Sequence, residues 1–197
     1  MAVSLKKGER VSLEKRGGGG LTKVTMGLGW DPAKKSGGGF LGKVFGGGKP
    51  DSIDLDASCL AFSGKSLVDT VWFGQKKAFG GAIAHSGDNL TGEGEGDDES
   101  IYINLAALPA NVDRLVLTVN SFRGQTFNEV DNAHCRVIDD ASGNEIAAYK
   151  LAEKGAHTGV IMAILAKEGD AWSMRAVGEP ADGRTAADMA GPAVRFF

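Results

Sequence analysis

The chain reads as mainly all-β, an antiparallel β-sandwich of about ten strands with a short C-terminal helix. Apolar residues alternate with period two through most of its length. Turn chemistry separates the alternating runs, and helical periodicity is scarce. Two antiparallel sheets packed face to face are the economical solution, since each must bury one apolar face.

The first clear strand is LTKVTMGLGW, where Val24, Met26, Leu28 and Trp30 share one side. Ile53 to Phe62, Val68 to Phe73, Gly81 to His85, Ser100 to Leu105 and Arg114 to Ser121 follow. His134 to Ile138, Glu145 to Lys150, Val160 to Ala166 and Ala171 to Val177 complete the set. DASGNE and KEGDA each connect two β-rich runs as hairpin turns. Thr185 is placed to cap the helix TAADMAG, and PANVDR adds a short turn after Leu108. SGGGFLGKVFGGGKP, residues 36–50, breaks the pattern with seven glycines around Phe40, Leu41, Val44 and Phe45. It reads as a flexible insertion between strands, with a partner or membrane contact through its apolar tip as the alternative.

At 197 residues and 42% apolar content, the length suits one domain over residues 1–197. The net charge of -3 hides an asymmetry, with ten basic and three acidic residues in 1–50 against three and eleven in 51–113. Intramolecular complementarity explains this more simply than an acidic partner. Dispersed basic residues, 7% aromatics and an acidic loop argue against nucleic-acid binding. The sequence shows no transmembrane segment and no secretory signal, so a cytoplasmic location is expected. Cys59 and Cys135 lie in apolar-alternating segments, where buried reduced thiols are the expected outcome.

The most informative segment is HSGDNLTGEGEGDDE, from His85 to Glu99, with six carboxylates, an Asn and four glycines. Lys and Arg are absent from residues 78–113. Carboxylates roughly 5 Å apart repel by about 0.8 kcal/mol in bulk water and about 3 kcal/mol at an effective dielectric near 20. Folding them together calls for a counter-charge. Calcium suits the segment because it takes only oxygens, tolerates irregular geometry and accepts about 6 to 8 ligands, whereas magnesium demands a stiffer octahedron.

Better-known motifs do not fit. Gly37 to Lys43 has the glycine and lysine spacing of a phosphate-binding loop, but Val44 stands where Ser or Thr must follow, and the strand-to-helix context is missing. GEGEG lacks dinucleotide-site spacing, and Leu90 breaks an EF-hand beginning at Asp88. His134 and His157 have ordinary surroundings, while His85 either orients a ligand or ends a strand.

Three segments can converge on one site. Asp31 ends a strand before Pro32. Asp54 and Asp56, on one face of a strand, are about 7 Å apart while Ile53, Leu55 and Ala57 face the core. The acidic loop adds Asp88, Asn89, Glu93, Asp97, Asp98 and Glu99. Asp97 and Asp98 point apart if extended, so both bind only in a curved loop or at two sites. These nine candidates suffice for two ions with backbone oxygens and water, the alternative being a solvated acidic turn.

GLGWD, DLDAS and HSGDNLTGEGEGDDE together resemble the TerD family of tellurite-resistance and stress proteins. The resemblance extends through LPANVDRLVLTVNSFRGQTFNEVDNAHCRVID, Tyr149 to Leu151, and Trp172 to Gly178. WDPAKKSGGGFLGKVFGGGKPDSIDLDA and NSFRGQTFNEVDNAHC are most similar to the TerZ branch. The resemblance implies a calcium-binding β-sandwich of the bacterial cytoplasm, linked to tellurium resistance and stress. It places the family's metal positions on Asp31, Asp54, Asp56, Asp88, Asn89 and Asp97 to Glu99. The expected function is a non-enzymatic, calcium-dependent binding or scaffolding module that carries two Ca2+ ions. Expected partners are other tellurium-resistance proteins, with membrane-associated ones considered among them. A calcium-dependent membrane-surface binder is the alternative, and a two-metal phosphoesterase the weaker one.

Overall fold

Alternation places Val24, Met26, Leu28 and Trp30 on one side of a long strand, and all four are buried between two sheets. The computed structural model describes residues 2–14, 20–32, 54–88, 96–151 and 154–197. The glycine-rich insertion read at residues 36–50 lies outside them.

Among the described residues, the strands in chain order are β1 (Val3–Leu5), β2 (Arg10–Ser12), β3 (Lys23–Pro32), β4 (Asp56–Ser63), β5 (Ser66–Val71), β6 (Lys77–Ala78) and β7 (Ile83–His85). β8 (Glu99–Asn104), β9 (Arg114–Asn120), β10 (Val130–Asp139), β11 (Asn144–Lys150), β12 (Gly159–Glu168) and β13 (Ala171–Ala181) follow. One seven-stranded sheet has the order β1-β11-β10-β3-β8-β7-β6, and a six-stranded sheet has the order β2-β13-β12-β9-β4-β5. Every pairing is antiparallel except β1 with β11, so the first sheet is mixed rather than purely antiparallel.

All ten strands read from the sequence are present, with shifted ends. β1, β2 and β6 are additional, and at two or three residues each they are too short to display a period. β4 begins at Asp56, the Asp54 N–H before it donates to the Gln125 side chain at 3.1 Å, and Ile53 lies outside the described residues. DASGNE and KEGDA form the β10–β11 and β12–β13 hairpins.

β4, β9 and β12 are buried on both faces. Their inward residues, such as Cys59, Leu117 and Met162, fill the space between the sheets, while Leu60, Phe62, Val116, Ile161 and Ile164 form a second cluster outside. Helix α1 (Ala186–Ala193) covers that cluster with Met189 and Ala193. A capping box fixes its start: the Thr185 hydroxyl accepts from the Asp188 N–H, and the Asp188 carboxylate accepts from the Thr185 N–H at 3.0 Å. No helix among the described residues is long and apolar enough to cross a membrane. Cys59 and Cys135 are free and buried, and burial pushes both thiols up to about 12.

Candidate metal centre

Antiparallel pairing brings scattered acids to one end of the sandwich. Asp56 opens β4 opposite Asn120 near the end of β9. Glu99 opens β8 opposite Leu28, with Asp31 further along β3 and His85 closing β7 beside β8. The backbone then turns Asp54 and Asp88 toward Asp56.

The tightest grouping is Asp54, Asp56 and Asp88, with one oxygen from each lying within 4.8 Å of the others. Asp54 and Asp56 are 6% and 4% exposed, whereas Asp88 faces solvent. Asp54 Oδ2 pairs with Arg123 Nε at 2.8 Å. Asp54 Oδ1 and Asp56 Oδ2 are buried without a hydrogen-bond partner among the described residues. Burial drives the Asp56 carboxyl up to about 7, reinforced by Glu99, Asp54 and Asp88 and opposed by the Phe122 backbone hydrogen bond. Burial also raises Asp54, outweighing the attraction of Arg123. Three converging carboxylates, two of them with a buried oxygen that lacks a hydrogen-bond partner among the described residues, form an oxygen-only donor set, which fits a hard divalent cation.

Glu99 backs this cluster from inside the protein. It is 1% exposed, and its Oε2 accepts from the Ala57 N–H at 2.7 Å. His85 Nε2 lies 3.2 Å from the same oxygen and 3.2 Å from the Ala57 carbonyl. Because His85 Nδ1 accepts from the Gly87 N–H at 3.1 Å, the proton of the neutral ring belongs on Nε2. His85 therefore ends a strand and braces Glu99, with both ring nitrogens engaged.

Asp31 and Asp98 form a second pair, linked to this cluster by the interaction of Asp98 with Glu99. Asp98 Oδ2 accepts from the Trp30 N–H at 2.8 Å, and Asp31 Oδ2 accepts from Asn132 Nδ2 at 2.7 Å. Burial raises the Asp98 carboxyl against the Trp30 hydrogen bond, with the Asp31 charge adding to the rise. Asp97 takes a different direction, as the alternation of consecutive residues predicts. Arg136 holds it through Nε at 2.8 Å and Nη2 at 3.0 Å, and His134 Nε2 stands 3.8 Å away. Asn89 and Glu93 lie outside the described residues.

Sequence reasoning missed Arg123, Gln125, Asn132 and Arg136, which contact the acidic residues. All four fall in NSFRGQTFNEVDNAHCR, which supported the resemblance, but their polar side chains carry no spacing signal.

A β-sandwich with acidic residues gathered at one end by strand pairing is the class of protein these observations define. The chain belongs to the TerD domain family, whose profile matches residues 1–190. Tellurium resistance protein TerZ of Serratia marcescens is 52% identical over 189 residues, spanning 95% of this chain and 94% of that protein. Stress response protein SCP2 of Bacillus subtilis strain 168 is 44% identical over 91% of this chain and 92% of its own length. The solved structure of SCO6318 from Streptomyces coelicolor A3(2), described as a homologue of telluride resistance protein TerD, has a TM-score of 0.67 at 22% identity. That likeness covers 87% of this chain and 96% of the other, and it concerns the fold alone.

Proposed function

We infer that this protein is a calcium-dependent, non-enzymatic binding or scaffolding module of the tellurium-resistance and stress response. The observation that carries this reading is the convergence of Asp54, Asp56 and Asp88 within 4.8 Å, with buried oxygens of Asp54 and Asp56 left without hydrogen-bond partners. Calcium supplies the missing positive charge and accepts carboxylate, carbonyl and water oxygens together. Asp54, Asp56 and Asp88 hold the first ion, and Asp31 and Asp98 are the described candidates for a second. The bound ion ties the loop after β7 to the start of β4, creating an ordered surface for other tellurium-resistance proteins. Engagement of both His85 ring nitrogens supports a non-enzymatic role. The two buried free thiols support a reducing, cytoplasmic setting.

Isothermal calorimetry with chelator-stripped protein tests the reading. Calcium should bind and raise the melting temperature, with the stabilisation reaching about 2.7 kcal/mol when free calcium is 100 times the dissociation constant. No heat and no thermal shift at millimolar calcium would refute it.

A calcium-dependent membrane-surface role is the second reading. It is favoured by Phe122, 46% exposed and 6.0 Å from Phe73 between ring centroids, in the same loop as Arg123. Co-sedimentation with phosphatidylserine vesicles only when calcium is present supports that role, and calcium-independent co-sedimentation removes it.

A further inference from the structure

We propose that Arg123 is a built-in counter-cation of the acidic centre, exchanging with the divalent ion and thereby setting both the concentration at which it binds and its preference over monovalent ions. This rests on the calcium reading above.

Arg123 lies in the turn after β9, where Gly124 adopts φ +84° and lets the chain reverse. Its Nε reaches Asp54 Oδ2 at 2.8 Å. The exposures of the two partners are unequal: the Arg123 side chain is 54% exposed and that of Asp54 is 8% exposed. The guanidinium thus enters from solvent to neutralise a buried carboxylate, and it has a hydrated position to return to. Arg184 fixes the same turn independently by donating to the Phe122 carbonyl through Nε at 3.1 Å and Nη2 at 2.9 Å. Departure of the Arg123 side chain therefore leaves its backbone anchored.

One guanidinium does not complete the site. Its contact engages Oδ2 of Asp54, leaving Asp54 Oδ1 and Asp56 Oδ2 without partners. A compact ion touching all three carboxylates at calcium's usual distance of about 2.3 to 2.6 Å can satisfy oxygens that a planar fork at one edge cannot. Once the ion is seated, a guanidinium still held on the Asp54 carboxylate is repelled by two positive charges at short range. A half-exposed arginine relieves that repulsion by moving into water. A monovalent ion entering in its place only exchanges one positive charge for another. A divalent ion adds a charge to a centre that also contains Asp56, Asp88 and buried Glu99.

The exchange predicts opposite effects on the two states. Removing Arg123 takes away the counter-charge only from the metal-free protein, so that state becomes less stable and metal affinity rises by the same factor. A pair joining an exposed arginine to a buried carboxylate is worth more than a wholly exposed one and less than a buried one, which sets the expected rise at about tenfold, or about 1.4 kcal/mol.

The experiment is calcium calorimetry at pH 8 on chelator-stripped wild type, Arg123→Gln and Arg123→Lys, with melting curves in chelator and in saturating calcium. Arg123→Gln should bind calcium about tenfold more tightly, melt lower than wild type in chelator and match it in calcium. Arg123→Lys should remain close to wild type. Weaker or unchanged affinity in Arg123→Gln, or a melting deficit that persists in calcium, would overturn the exchange while leaving the calcium reading intact. Absence of calcium binding by the wild type would instead refute the calcium reading, and the exchange with it.

Discussion

Arg136 grips Asp97 through two nitrogens, at 2.8 and 3.0 Å, and the carboxylate lies over Gly27 on the outer face of β3. A Cβ at Gly27 would collide with that carboxylate, and one at Gly29 with the His134 ring. The GLG of β3 therefore provides the floor for a charged clamp that anchors the end of the acidic loop. Gly27→Ala should destabilise the protein by about 1–3 kcal/mol through overpacking and loss of the pair. In Gly27→Ala with Arg136→Ala, the two losses should fall short of their sum by at least about 0.5 kcal/mol, because both break one contact. Urea denaturation of the two single variants and the double variant measures this.

The same clamp gives stability a two-sided pH dependence. Burial raises Asp97, but His134 and Arg136 outweigh it and hold the carboxyl below its ordinary value of 3.8. Its contribution is present above that value and lost as pH falls through the depressed one. The Asp97 carboxylate, working against burial, raises His134 above 6.5, so this contribution is full below 6.5 and lost as pH rises through the raised value. In chelator, His134→Gln should flatten the alkaline decline and shrink the acid limb, the remainder of which Arg136 supports. Melting temperatures from pH 3 to 9 test this, and an unchanged alkaline limb in the variant counts against it.

Asp56 produces a slope of its own. Its carboxyl is raised from 3.8 to about 7, so between those values the metal-free folded state binds more protons than the unfolded chain. The Asp56 contribution to stability in chelator should therefore fall as pH rises from about 4 to about 7 and level off beyond. Asp56→Asn should remove this contribution and melt higher than wild type in chelator at pH 7.5. Calcium binding requires the ionised carboxylate and should release protons near pH 7. Calorimetry in buffers of different ionisation enthalpy reads that release.

The strands were legible because β3, β8 and β10 bury one face and alternate, while β4, β9 and β12 read as apolar runs bounded by turns. The acidic residues were legible because charge and glycine crowd into residues 85–99. How each acid is used was not legible. Asp97 and Asp98 are adjacent, yet one pairs with Arg136 and the other accepts from the Trp30 N–H, because the chain at the loop's end sends them in different directions. Glu99 looks like one more loop carboxylate, but strand pairing buries it against Ala57. Arg123 lies far from Asp54 along the chain, and the β4–β9 pairing that unites them leaves no local pattern.

The C-terminal cap is predicted to matter beyond its own helix. Thr185→Ala removes one half of the capping box and should cost about 1 kcal/mol. That corresponds to roughly 2–4 °C in melting temperature for a chain of this size. Arg184, the preceding residue, accepts from Asn120 Nδ2 at 2.9 Å and donates to the Phe122 carbonyl. Amide exchange in Thr185→Ala should accelerate at residues 121–125 as well as in α1. Acceleration confined to α1 would show that the cap does not support the turn after β9.

Glu99 and Asp88 separate support of the site from ligation. Asp88 is exposed, so Asp88→Asn should change stability in chelator by no more than about 0.5 kcal/mol. As one of the three converging carboxylates, however, its loss should weaken calcium binding at least about tenfold. Glu99→Ala leaves the Ala57 N–H and the His85 ring without their shared acceptor in a buried position. Its cost should reach about 2–4 kcal/mol in chelator. A deficit should remain in saturating calcium, because an ion among Asp54, Asp56 and Asp88 does not replace an acceptor for Ala57. If calcium restored Glu99→Ala to the wild-type melting temperature, the Ala57 tie would carry no weight of its own. Glu99 would then act on stability only through the charge balance of the three aspartates.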